Sequence, residues 1–303
     1  IIFFIKDTIK HLDKKKFRVH LFSFAKENTE DESQNDLKHL SNEWSNLSQF
    51  DNQKAVHLIQ EKKIDILFDV MGFTNPNRLE IFNSRVAPIQ ISWLAYCNTT
   101  GFETIDYIMI DKNLVTKNEE KLYSEKVIRP SKVWNSHAGF NIKRKYNNLP
   151  SEKNEIFTFG SFNNFRKISP ETVDTWSSIL QSVSNCRLIL KSSTFCDTNS
   201  LLNKFKKHGI ENKVIILDKV NFHKKKDHLE LYNEVDLALD TFPYNGVTTT
   251  FEALWMNVPV VVLKGYNFNS RCGESIIKNT KIDYLIASNT KEYIQKVIFL
   301  SQN

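Results

Sequence analysis

Long apolar runs are missing from this chain of 303 residues. Nothing in it approaches the roughly 20 consecutive apolar residues that a membrane-spanning helix needs, so no membrane partner is expected. The opening Ile1-Ile2-Phe3-Phe4-Ile5 is apolar but is broken at once by Lys6, Asp7 and Lys10. It lacks a basic start and a small-residue cleavage site, and is not read as a signal peptide. Cysteine is sparse, and Cys97, Cys186, Cys196 and Cys272 form no CxxC pair and have no histidine at metal spacing. Free buried thiols in a reducing cytoplasm are the expected state. Clustered arginine with interleaved aromatics is also absent, which excludes a nucleic-acid strip. The formal charge of +6 comes largely from scattered lysines such as Lys14-Lys15-Lys16 and Lys224-Lys225-Lys226, the pattern of a solvated surface. That charge remains compatible with an anionic small molecule such as a nucleotide diphosphate. There is no internal repeat and no low-complexity segment.

What is present is the balance of a soluble globular protein, with 41% hydrophobic and 25% charged residues, at a length that suits two domains. Residues 2–12 have helical periodicity, and Phe17 to Phe22 reads as a strand. Asp51 is placed to cap a helix running through Glu61. Beyond it, Ile64 to Val70 is a short apolar strand of the kind buried in a parallel sheet, ended by Gly72. Pro88 to Leu94 and Tyr107 to Ile110 are further strands. The polar stretch from Asn141 to Glu155 reads as a linker. The expected domains are therefore residues 1–145 and 156–303.

The second half alternates strictly. Ile156 to Phe162 is a strand, and Ser169-Pro170 starts a helix with a cap residue followed by proline in the first turn. Strands follow at Arg187 to Leu190, Val214 to Leu217, Val235 to Leu239 and Val258 to Leu263. Alternation of this kind predicts right-handed crossovers and a doubly wound parallel sheet, with ligands at the strand C-termini. Two such domains facing a cleft are the expected α/β architecture.

The most informative segment runs from Leu239-Asp240-Thr241-Phe242-Pro243-Tyr244-Asn245-Gly246 through Val247-Thr248-Thr249-Thr250 to Phe251-Glu252-Ala253-Leu254-Trp255-Met256. A strand ends at Asp240, a turn follows, and a helix begins among three threonines. Its first turn leaves backbone N–H groups free and its dipole favours an anion, so the segment suits a diphosphate. Thr249 and Glu252 also fit a capping box, which would make this an ordinary capped helix. The residues alone leave both readings open.

This segment, followed by Val258-Pro259-Val260-Val261, resembles the donor-binding signature of O-GlcNAc transferase and its relatives, glycosyltransferase family 41. Ala87-Pro88-Ile89-Gln90 through Trp93-Leu94-Ala95-Tyr96, Thr99-Thr100-Gly101 and Asp106-Tyr107 is similar to a second motif of that family. Gly160-Ser161-Phe162-Asn163-Asn164 with Lys167-Ile168, and Ser270-Arg271-Cys272-Gly273, resemble two more. The likeness holds in order from about Asp65 to the end of the chain.

The resemblance implies a GT-B fold of two Rossmann-like domains, an acceptor-side one first and a nucleotide-sugar-binding one second. It implies Lys167 as the catalytic cation facing the donor diphosphate, where it neutralises charge on the leaving nucleotide. Asn164 would touch the donor phosphates. Gly246, Val247, Thr248 and Thr249 would hold the pyrophosphate at the helix start, Glu252 the ribose hydroxyls, and His228 the wall of the nucleotide pocket. Asp69, Thr99 and Thr100 would lie on the sugar and acceptor side. Phe73 departs from the family, standing where bacterial relatives commonly carry histidine; a phenyl ring packs on a sugar but exchanges no proton.

The implied activity is inverting transfer of GlcNAc from UDP-GlcNAc to Ser or Thr of a protein or peptide acceptor, in the cytoplasm. No metal and no other cofactor is implied, in keeping with the lack of an Asp-x-Asp motif. Alternatives are a GDP-fucose donor as in the SPINDLY branch, a UDP-hexose protein transferase, or a sugar-nucleotide-binding module without turnover. A sugar-nucleotide epimerase shares the architecture, but the Ala87-Pro88-Ile89-Gln90 segment speaks for the transferases. The family's histidine motif and tetratricopeptide repeats would precede Ile1, so the expectation is a piece of a longer protein.

Overall fold

The computed structural model describes residues 1–26, 32–74, 77–140, 142, 148–191, 197–217 and 225–302. The chain divides into two units, Ile1–Gly139 and Phe140–Asn303. The division falls ahead of the polar stretch expected to be linker. Part of that stretch lies outside the described residues, and its end is structured: the helix Pro150–Asn154 forms, and Ser151 N and Oγ both donate to Asp236 Oδ1. A side-chain acceptor more than eighty positions away therefore claims the segment for the second unit.

In the first unit, helix α1 (Ile2–His11) buries Phe4, Ile5 and Ile9, the spacing of one helical face. Strand β1 (His20–Ser23), helix α2 (Glu32–Leu40) and strand β2 (Glu43–Asn46) follow, with β1 and β2 parallel. β1 starts three residues later than the sequence suggests. Pairing begins only at His20 opposite Glu43, while Phe17 stays 51% exposed. Helix α3 (Asn52–Glu61) is capped by Asp51, which accepts from Lys54 N at 2.8 Å. Strands β3 (Ile66–Asp69), β4 (Ile89–Trp93), β5 (Tyr107–Met109) and β6 (Lys126–Ile128) form a four-stranded parallel sheet in that order. β3 is not buried on both faces as expected, since Ile66 and Phe68, two apart and so on one face, are each 42% exposed. Under the other face lie Leu47, Ala55, Ile59, Ile81 and Val86, with Leu67 packed against them.

Buried Gln90 ties this sheet to its loops. Its amide nitrogen donates to Phe82 O at 3.0 Å and Thr104 O at 2.7 Å, and its carbonyl accepts from Val86 N at 3.1 Å. Each polar atom of a side chain removed from water is thus satisfied by backbone.

The second unit holds α4 (Pro150–Asn154), β7 (Phe157–Ser161), α5 (Pro170–Ser182), β8 (Cys186–Lys191), α6 (Thr198–Lys206), β9 (Val214–Leu217) and α7 (Lys225–Glu230). Then come β10 (Leu237–Leu239), α8 (Thr248–Trp255), β11 (Val260–Leu263), α9 (Phe268–Lys278), β12 (Ile286–Ala287) and α10 (Thr290–Gln302). All strand pairs are parallel, in the order β12-β11-β10-β7-β8-β9. Ser169 Oγ accepts from Thr172 N at 3.1 Å and Pro170 opens α5, as a capped start requires. Trp176, Ile179, Leu180, Leu188, Leu190 and Phe159 are sealed between helix and sheet.

From β7 the chain winds outward through β8 and β9, then returns to β10 on the other side of β7. The order reverses between β7 and β10, and at such a switch point the loops leaving the two strands part and open a crevice for ligands. Among the described residues no helix is long and apolar enough to cross a membrane. Cys97, Cys186 and Cys272 are buried and form no disulfide among the described residues, and Cys196 lies outside them.

Candidate donor-binding site

The loop leaving β7 and the segment running from β10 into α8 carry most of the residues singled out by sequence. After β10 the chain folds around Asp240, which is fully buried. Its Oδ1 accepts from Gly246 N at 2.7 Å, Thr241 N at 2.9 Å and Asn163 Nδ2 at 3.3 Å. Burial pushes the Asp240 carboxyl up to about 7, against the lowering pull of the Gly246 N–H, the Lys167 charge and the bonds from Thr241 and Asn163. Its Oδ2 has no hydrogen-bond partner among the described residues. A carboxylate so placed lacks the solvation that a neutral acid can forgo.

Position 246 must be glycine for want of space. A Cβ there would stand 2.5 Å from Thr249 Oγ1 and 3.0 Å from both Asn163 Oδ1 and Asp240 Oδ1. Asn245 holds the rest of the turn: its Nδ2 donates to Thr241 O at 3.0 Å, and its Oδ1 accepts from Gly273 N at 3.2 Å. Ser169 and Thr172, at the start of α5, both donate to Phe242 O.

Lys167 ends a 3-10 turn (Phe165–Lys167) capped by Asn164, whose side chain accepts from Arg166 N. The ammonium reaches across the switch point, donates to Asn245 O at 2.8 Å and lies 4.2 Å from the centroid of the Tyr244 ring. It is half-buried. The Phe165–Lys167 turn and the β10–α8 loop are thus joined through this one side chain.

The capping box that Thr249 and Glu252 could have formed at α8 is not made. Val247 is the N-cap residue, and its side chain makes no capping hydrogen bond. Thr249 Oγ1 donates instead to Asn163 Oδ1 at 2.9 Å, and Glu252 Oε2 faces His228 Nε2 at 2.9 Å. Tertiary partners outcompete the local pair because they satisfy buried polar atoms, whereas a cap at a helix start can be replaced by water. The result is a helix N-terminus with exposed Thr248 at its head and no capping hydrogen bond from its N-cap residue. Such an end attracts anions.

A third cluster lies at the end of β8. Lys191, 1% exposed, has its Nζ 2.6 Å from His228 Nδ1. Burial lowers the Lys191 amine from the ordinary lysine range, while the charge of Glu252 works the other way. Tyr232 OH donates to Thr249 O at 3.2 Å and lies 3.4 Å from Glu252 Oε2. Burial, reinforced by Glu252, holds that phenol well above its usual range. Phe162 packs against Tyr232 with ring centroids 4.6 Å apart. Glu252 is therefore a buried carboxylate at the heart of α8, and His228 sits buried beside it.

In the first unit, buried Asp69 accepts from Met71 N at 3.0 Å and Gly72 N at 2.9 Å, and burial raises its carboxyl against those two bonds. The turn needs Gly72, whose φ is +52° and whose Cβ would stand 2.2 Å from Tyr96 Cβ. Thr99 Oγ1 donates to Glu125 Oε2 at 2.7 Å, while Thr100 N at 2.6 Å and the Thr100 hydroxyl both donate to Glu125 Oε1. Glu125 is 3% exposed, and Phe73 is 47% exposed with its ring edge-on to Tyr96.

Sequence reasoning missed Asn163, Asn245, Lys191, Tyr232 and Glu125 as members of these clusters. Asn163 and Asn245 lay inside the motifs quoted above, and Lys191 left a signal of its own, a charge closing the otherwise apolar Leu188-Ile189-Leu190.

The model for glycosyl transferase family 41 matches residues 4–137 and 136–303. A probable UDP-N-acetylglucosamine--peptide N-acetylglucosaminyltransferase SPINDLY from Eustoma exaltatum subsp. russellianum is 33% identical over 86% of this chain and 28% of its own length. Its counterpart from Arabidopsis thaliana is 32% identical over 100% of this chain and 34% of its own length. The chain thus spans about a third of these curated relatives. An O-GlcNAc transferase mutant from Thermobaculum terrenum superposes with a TM-score of 0.88 at 30% identity, covering 99% of this chain and 57% of the other. The fold is an α/β fold of the GT-B type. With nearly all of both units matched, the chain belongs to glycosyl transferase family 41.

Proposed function

We propose that this chain is the catalytic region of an inverting protein glycosyltransferase that moves GlcNAc from UDP-GlcNAc to Ser or Thr hydroxyls of protein acceptors. The observation that carries this reading is the switch point of the second unit. There the Lys167 ammonium and the start of α8 converge on one loop, a cationic and amide-rich setting for a diphosphate. The names of the curated relatives support the donor and the peptide acceptor.

In this reading the acceptor oxygen attacks the anomeric carbon as the bond to the nucleotide oxygen breaks. The electron pair leaves on the diphosphate and the hydroxyl proton is released. Lys167 stabilises the leaving charge, the work a metal ion does elsewhere, so no metal is required. Gly246, Val247, Thr248 and Thr249 hold the pyrophosphate mainly through backbone amides, since the Thr249 hydroxyl is already committed to Asn163. Asn164 touches the phosphates, and Glu252 and His228 hold the nucleoside end. Asp69, Thr99 and Thr100 shape the sugar and acceptor side by fixing their loops. Tetratricopeptide repeats elsewhere in a longer protein present the acceptor. A cytoplasmic setting suits the buried thiols of Cys97, Cys186 and Cys272.

Calorimetric titration with UDP, GDP and UDP-GlcNAc tests this directly. Micromolar-class binding of the uridine ligands, lost in Lys167→Ala, is expected. Binding of GDP in preference to UDP would move the reading to a GDP-fucose donor, and no nucleotide binding would overturn it.

A further inference from the structure

We infer that Tyr244 is a positioning residue of the donor site, its ring face holding the Lys167 ammonium beside the start of α8. The inference deepens the function proposed above and rests on it for its consequence, while the contact itself is geometric and needs no ligand.

A lysine is a point charge on a flexible stem, and a charge that is to meet a leaving group must be in place beforehand. The near end of Lys167 is set by its own element, since Phe165 is buried and Asn164 caps the 3-10 turn Phe165–Lys167. At the far end, two consecutive residues of the β10–α8 loop meet the ammonium. Asn245 O accepts from it at 2.8 Å, and the centroid of the Tyr244 ring lies 4.2 Å away. A carbonyl oxygen accepts over a broad range of directions, so that hydrogen bond fixes a distance more firmly than a direction. A ring face within about 6 Å of the charge supplies the direction, because its quadrupole draws the cation over the ring.

The loop is built to keep the ring there. Thr241 Oγ1 donates to Tyr244 O at 2.7 Å, and the next residue, Asn245, is fully buried and tied to Thr241 O and Gly273 N. Tyr244 itself is 37% exposed, so core packing does not account for an aromatic at this position. Neither the carbonyl nor the ring carries a formal charge. A carboxylate in place of the ring would hold the lysine more strongly but would cancel the charge that a diphosphate is to meet. The nearby carboxyl that feels this charge, Asp240, accepts on its Oδ1 from Gly246, Thr241 and Asn163, and burial raises it toward the neutral acid.

Fluorinated phenylalanines at position 244 of the 303-residue protein test the inference, because fluorine drains the negative potential of a ring face while scarcely changing its size. Tyr244→Phe keeps the face and should retain most of the UDP affinity. Affinity should then fall step by step as fluorines are added, and Tyr244→Leu should lie about fivefold below wild type, the worth of one partly buried cation–π contact. The thermal midpoint should not follow the fluorine series. Without ligand, the ring current should move the Lys167 ε-methylene protons upfield in the wild type and in Tyr244→Phe, and the shift should vanish in Tyr244→Leu. Affinity indifferent to fluorine, or ε-methylene protons at their ordinary shift in the wild type, overturns the inference. So do nuclear Overhauser contacts from the ring at position 244 to UDP protons with none to Lys167, since the ring would then act on the ligand directly. If Tyr244→Leu does not fold, the nearly isosteric fluorine series decides alone. A wild type that binds no UDP sinks the proposed function instead, and the methylene shift still judges the contact between Tyr244 and Lys167.

Discussion

In the first unit the buried carboxylate of Glu125 receives the hydroxyls of Thr99 and Thr100 together with the Thr100 amide. In the second, the buried carboxylate of Asp240 receives the amides of Gly246 and Thr241 and one asparagine side chain. Both shape a loop at the end of a parallel strand. The first consumes the polar side chains of its loop and turns them inward. The second bends mainly backbone, leaving Thr248 exposed at the helix start with Lys167 beside the turn. The lesson is that residues alike in a motif contribute differently, those of the first unit as braces and those of the second as an open helix start.

Removing the cation beside that helix start should have the largest effect. In a full-length protein with transferase activity, Lys167→Ala should reduce turnover by about 10²–10³-fold, as loss of a preorganised charge at a leaving group does. Single-turnover kinetics read it, and unchanged turnover would remove Lys167 from the catalytic role.

The Asp240 brace predicts a pH dependence. Its folded-state carboxyl is raised from 3.8 to about 7, so the folded form binds a proton more tightly than the unfolded chain. Its contribution to stability is fully present below about pH 4 and is lost as pH rises toward about 7. Denaturant titrations of Asp240→Asn and wild type across this window should move in the variant's favour by a few kcal/mol. A gap independent of pH would contradict the raised carboxyl.

Gly246→Ala forces a Cβ against Thr249, Asn163 and Asp240 and should cost about 1–3 kcal/mol, with weaker UDP binding. Glu125→Ala sharpens the contrast from the other side. Leaving the Thr99–Thr100 donors without their acceptor should destabilise the first unit by about 1–3 kcal/mol while UDP affinity stays within twofold. Joint loss of affinity and stability would mean that the braces of the two units are not separable. Thr249→Ala should be the mildest change, about 1 kcal/mol in thermal or chemical denaturation, because it removes one neutral bond to Asn163 while the backbone amide remains.

Much of this was legible in advance where local chemistry speaks. Asp51 and Ser169-Pro170 announce helix starts because a cap needs only the next few residues. The apolar runs around Phe159, Leu188 and Val261 announce buried parallel strands. Less legible was β2, because Glu43-Trp44-Ser45-Asn46 lacks an apolar run and becomes a strand through pairing with β1. Phe17-Arg18-Val19 has strand character but no partner in register, and stays outside the ladder.

The sequence by itself determined the alternation of strands and helices, the family, and the loops that carry the candidate site, since periodicity, caps and motif order are properties of neighbouring residues. Only the tertiary structure decided what each side chain of those loops does. Thr249 and Glu252 stand three apart and could have capped their own helix, yet one is claimed by Asn163 and the other by His228. Lys191, Asn163 and Glu125 take their places through partners 25 to 86 positions away. Such partners meet only when the sheets form, and a polar atom cut off from water binds whichever group the fold delivers to it.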